Sequence, residues 1–120
     1  MKYKRDESYR FTFSEPISCS FTIVGVGEQT IQSKVAKGEI MDLSPQGCKL
    51  QSLLDIHLEK EVRLQVEFKL DEEFAGILAV GVIQWKKRKG ISHYQYGIRF
   101  VKDDVLKNKI TDDLKKYVRK

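Results

Sequence analysis

A chain of 120 residues is the size of one domain and is long enough to bury a core. With 41% hydrophobic and 32% charged residues it reads as globular, and no apolar run approaches the ~20 residues of a membrane span. The net charge of +5 permits polyanion binding without demanding it, because the cations gather in residues 1–10, 86–89 and 115–120.

Lys2, Lys4, Arg5 and Arg10 stand against Asp6 and Glu7 in a basic N-terminal arm, read as flexible over residues 1–10. The arm is either a ligand-binding element or a solvated terminus. Residues 10–13 begin a strand, and Pro16, which lacks an N–H, marks an edge or a break. Beyond it Ile17, Cys19, Phe21 and Ile23 alternate with Ser18, Ser20 and Thr22, the period of a half-buried strand that Gly25 and Gly27 end. A second strand is expected over 33–43, carrying Val35, Ile40 and Leu43 and bent at Gly38.

Asp42-Leu43-Ser44-Pro45-Gln46-Gly47 then joins this strand to a third, Cys48-Lys49-Leu50-Gln51-Ser52. Pro45 presets the φ of a turn's second position, and Gly47 can take a positive φ to close it. The same residues carry chemistry. Asp42 can accept two N–H donors side by side, as the N1 and N2 edge of a guanine presents them. Ser44 adds a hydroxyl, and Gly47 permits close approach to backbone. Taken alone, the stretch reads first as a structural turn. Cys19 and Cys48 lack C-x-x-C spacing and are expected as buried thiols rather than a disulfide.

Val62, Leu64, Val66, Phe68 and Leu70 alternate cleanly with Arg63, Gln65, Glu67 and Lys69. Residues 74–85 form a long apolar run whose Gly76 and Gly81 point to a bulge or bend. Lys86-Lys87-Arg88-Lys89-Gly90 reads as a polar hairpin turn, with a nucleic-acid patch as the lesser alternative. Tyr94, Tyr96, Ile98 and Phe100 make the last strand. The period then changes. Asp103 can cap a helix whose stripe is Leu106, Ile110, Leu114 and Val118, with Tyr117 beside it. That stripe is docked on the barrel or, where uncovered, offers a partner surface. The fold expected is mainly β: a six-stranded antiparallel barrel over 11–120 with one C-terminal α-helix at about 102–119.

Three features in this order resemble the PilZ domain family, a bacterial receptor module for cyclic di-GMP, over nearly the whole chain. They are the basic arm, the D-x-S-x-x-G turn, and the Tyr96-Gly97-Ile98-Arg99-Phe100 strand before the helix. The resemblance implies a stand-alone receptor. Arg5 and Arg10 would grip the guanines and phosphates, while Asp42, Ser44 and Gly47 complete the guanine contacts. Four residues separate Arg5 from Arg10, where the family's R-x-x-x-R arm has three. That difference motivates an alternative reading, a PilZ-like protein-interaction module that does not bind nucleotide.

No enzyme reading is supported, and neither His57 nor His93 has metal-ligand spacing. No cofactor or metal is expected. The expected partners are cyclic di-GMP and an unidentified protein effector in trans, with neither nucleic acid nor membrane, in the cytoplasm.

Overall fold

The structure, a computed structural model, describes residues 10–120; Arg5 and the rest of the 1–9 segment lie outside it. Seven strands precede one helix: β1 (Phe11–Val26), β2 (Gln29–Thr30), β3 (Ala36–Ser44), β4 (Gly47–Ser52), β5 (Val62–Phe68), β6 (Ile77–Lys89), β7 (His93–Phe100) and α1 (Asp104–Val118). The sheet runs β2-β1-β3-β4-β7-β6-β5, and a further β1–β5 pairing closes it. The two-residue β2 is an appendage on β1. Six strands therefore form the closed antiparallel barrel, and a single helix follows, as expected from the alternation pattern.

Closure depends on the length of β1. Its first half pairs with β3 and its second with β5, and Cys19, Ser20 and Phe21 pair on both sides. Pro16 does not break this strand. The β1–β3 ladder shifts register between Thr12 and Ile17, so the residue without an N–H falls where no ladder bond is required.

Inward-facing Phe21, Ile40, Leu43, Leu50, Leu64, Val66, Tyr96 and Ile98 fill the barrel, and Ile110 and Leu114 of α1 join the same core. Full burial stabilises by ~1.5–3 kcal/mol for each large apolar side chain. Tyr96 also pins the loop after β4, its hydroxyl donating to Leu54 O at 2.6 Å and accepting from Ile56 N at 2.8 Å. Cys19 and Cys48 are buried free thiols.

Asp103 caps α1, its carboxylate accepting from Leu106 N at 3.1 Å. The buried stripe differs at its end: Val118 is 49% exposed, and Tyr117 packs instead. Its ring meets Phe11 and Phe13 edge-on at centroid distances of 5.6 and 5.5 Å. Lys120 reaches Asp71 and lies over the Phe74 ring, so α1 spans the end of the barrel where β1 begins.

Other boundaries move for identifiable reasons. β3 starts at Ala36, leaving Val35 outside it, and β6 starts at Ile77, with Phe74 in a turn closed onto Asp71 O. Gly76 lies before β6, and the irregularity of the β6–β7 ladder falls between Ile83 and Trp85, not at a glycine. Lys86, Lys87, Arg88 and Lys89 are not a turn. They extend β6 against Tyr96, Gln95, Tyr94 and His93, and the chain reverses at Gly90, whose φ is +70°.

Candidate functional site

In β3 both Ile40 and Leu43 are fully buried, although strict alternation would put residues three apart on opposite faces. A bulge between Ile40 and Asp42 in the β3–β4 ladder supplies the extra residue. It turns Asp42 onto the outer face of the barrel. There Asp42 pairs with Thr12 on one side and Lys49 on the other, and Lys49 in turn with Gly97, which faces Trp85. A single cross-strand row thus carries a carboxylate, an ammonium, a bare backbone and an indole. At the usual strand spacing the row is about 14 Å from Asp42 to Trp85.

Arg10 completes the row from the entry to β1. Its Nη1 donates to Asp42 Oδ1 at 2.5 Å, and Lys49 Nζ lies 3.9 Å from Asp42 Oδ2. The Asp42 side chain is only 11% exposed, that of Arg10 51%. A carboxylate so covered needs charged partners, whereas the guanidinium can leave for water or a ligand.

Ser44 is buried, and its polar contacts lie within the turn: Oγ accepts from Gln46 N at 3.2 Å and donates to Gly47 O at 3.4 Å. Gln46 O accepts from Phe100 N at 2.9 Å, tying the turn to the end of β7. Gly47 does not take a positive φ; among the described residues only Gly27 and Gly90 do. A Cβ at Gly47 would collide with Ile98 O, so glycine is required there by the close approach of β4 to β7. Gly97 has the analogous role for Trp85, whose indole occupies the place of the missing side chain.

Arg10, Asp42, Gly47, Lys49, Trp85 and Gly97 line a groove of about 790 Å³ on the outer face, within the range of small-molecule sites. Arg10, Lys49, Arg99, Lys102 and Lys107 outnumber Asp42, Asp103 and Asp104 along it. Its floor includes Cys48, whose thiol is pushed far above the ordinary range mainly by burial, then by Cys19 and Asp42, with Arg10 opposing. The floor is therefore neutral and unreactive at physiological pH. No cluster of groups able to hold a metal ion is found among the described residues.

Of the expected site residues, Arg10, Asp42 and Gly47 line the groove, Ser44 is buried in the turn and does not line it, and Arg5 falls outside the described residues. Lys49, Arg99 and Trp85 were not singled out as site residues by the sequence. Trp85, the last residue of the apolar run 74–85, is 43% exposed and lines the groove. Lys49 was legible as the outward member between Cys48 and Leu50, and Gly97 within a strand was the signal that something lies against the backbone.

A family model, the PilZ domain, matches residues 2–118. The chain belongs to the PilZ domain family. PilZ is a family of receptor or adaptor domains rather than an enzyme family, one that binds cyclic di-GMP and implies interaction with effectors. Curated proteins and solved structures give no match. No helix among the described residues is long and apolar enough to cross a membrane.

Proposed function

We propose that this PilZ domain is a cytoplasmic receptor for cyclic di-GMP, bound in the outer-face groove and relayed to a protein effector in trans. The observation that carries the reading is the Arg10–Asp42 pair at the groove, two groups separated by 32 residues in the chain and held at 2.5 Å. Each is a suitable partner for one part of the ligand. Asp42 accepts the N1–H and N2–H of a guanine, and Arg10, more exposed, turns from Asp42 onto phosphate or the guanine face. Lys49 and Arg99 add positive potential for the phosphates, and Trp85 offers a stacking surface to a base.

Ser44 and Gly47 act by holding the turn that carries Asp42. Arg5 supplies a second guanidinium, and closing of the 1–10 arm over the nucleotide is the proposed signal, because it creates a surface for the effector.

Trp85 is the chain's one tryptophan, so its emission reports on the groove. Saturable quenching by cyclic di-GMP, absent with GTP, is expected. Arg10→Ala loses a charge-assisted bidentate contact worth ~1.5–3 kcal/mol, weakening binding by about one to two decades. An unchanged affinity in Arg10→Ala would remove the groove from consideration. The reading without nucleotide rests on the extra residue between Arg5 and Arg10, and a complete absence of binding would favour it.

A further inference from the structure

The end of the barrel opposite α1 combines exposed aliphatic side chains with unpaired cations. β6 and β7 run on as a hairpin whose tip is Ile91, 88% exposed. The tip is held in shape: Arg88 Nη2 donates to Ile91 O at 2.9 Å and Nε to Gly90 O at 3.3 Å. Below it Lys86 and Arg88 lie 5.0 and 6.0 Å from the Tyr94 ring centroid.

The neighbouring strands deliver the same chemistry to the same level. Ser52 pairs with Tyr94, so Leu53 and Leu54 leave β4 beside the hairpin, and both are exposed. Ser52 Oγ donates to Lys37 O at 2.9 Å, which brings the start of β3 and exposed Val35 alongside.

Charge on this hairpin is one-sided, since neither β6 nor β7 holds an Asp or Glu. Lys86 is bound to Asp55, and Arg63 to Glu61. Lys37, Lys87 and Lys89 appear in none of the ion pairs of the described residues. A protruding aliphatic tip, a partly buried tyrosine beneath it and a collar of cations are what an anionic bilayer surface accepts. The apolar tip enters the headgroup boundary, Tyr94 sits at its level, and the ammonium groups stay with the phosphates. Nucleic acid would use the cations but gain nothing from Ile91, Leu53 and Val35.

We infer that this end of the barrel is a peripheral docking surface for anionic phospholipid membranes. No spanning segment is needed. The tip lies about 14 Å or more beyond Trp85 along β6, so nucleotide in the groove and lipid at the hairpin do not exclude one another.

Co-sedimentation with phosphatidylcholine vesicles, with and without phosphatidylglycerol, tests this in the intact protein. Binding is expected only with phosphatidylglycerol, weakening as salt rises. Each cation removed by Lys87→Gln or Lys89→Gln should lower partitioning about fivefold, and Ile91→Ser about tenfold. Trp85 emission should be unchanged in these surface variants, which checks folding. As a second readout, Ile91→Cys carrying an environment-sensitive dye should shift to the blue on the anionic vesicles. Equal sedimentation with both vesicles, indifference to the variants, an unshifted dye, or salt-sensitive binding to oligonucleotides with none to vesicles would each overturn the inference. None of these results depends on whether the groove binds nucleotide.

Discussion

Between Ile40 and Leu43 the chain makes three steps and yet returns to the interior, and the bulge that allows this is what turns Asp42 onto the outer face. The spacing of those two apolar residues was visible in the sequence. Which of the intervening residues would absorb the shift was not, since that depends on the partner strand. Gly47 is a similar case. Its place in a turn implied a positive φ, but the constraint comes from Ile98 O on a strand distant in sequence. Gly47→Ala should therefore destabilise by ~1–3 kcal/mol through forced separation of β4 and β7, seen as a lowered denaturant midpoint. An unchanged midpoint would contradict that account. Cys19 and Cys48 make a second prediction at this scale. Burial, followed by Glu39, pushes the Cys19 thiol up to about 12, against a smaller lowering by the Gly38 backbone. The folded state thus keeps a proton that the unfolded chain releases. The resulting stability is complete below the ordinary value of 9.0 and is lost as pH rises through about 12. At neutral pH neither thiol should react with a thiol reagent until denaturant unfolds the chain, and rapid labelling in native buffer would refute their burial.

At the scale of elements, period alone revealed β5, where alternation is uninterrupted from Val62 to Phe68 and no glycine or proline intervenes. β6 was only half legible. Its apolar stretch was clear, but Lys86 to Lys89 carry the composition of a turn, and only their pairing with β7 keeps them extended. Pro16 misled in the same manner, because its position in a gap of the ladder cannot be seen without β3. The helix shows the limit of a stripe spaced by four. After Leu114 the barrel end presents Phe11 and Phe13, which an aromatic ring covers better than Val118, so Tyr117 takes the contact. Tyr117→Ala should cost roughly 2–4 kcal/mol in thermal or chemical unfolding, whereas Val118→Ala should stay within about 0.5 kcal/mol. Equal effects would mean that the helix is not seated on these rings.

For the whole molecule, the barrel is a frame that brings together residues far apart in the chain. Arg10, Asp42, Lys49 and Trp85 belong to separate segments, and the ladder sets them around one groove. The D-x-S-x-x-G motif announced part of this site because its residues are local. Lys49 and Trp85 were hidden because they join it through register. Positive charge is divided among that groove, the β6–β7 hairpin and the end of α1, which leaves the net charge a poor guide to any one surface. The most direct measurement of the receptor reading is calorimetric titration of cyclic di-GMP into the protein, with GTP as control and Asp42→Ala in parallel. Specific micromolar or tighter binding, lost or weakened at least tenfold in Asp42→Ala, is the predicted result. No heat at high protein concentration, or full affinity in Asp42→Ala, would contradict it.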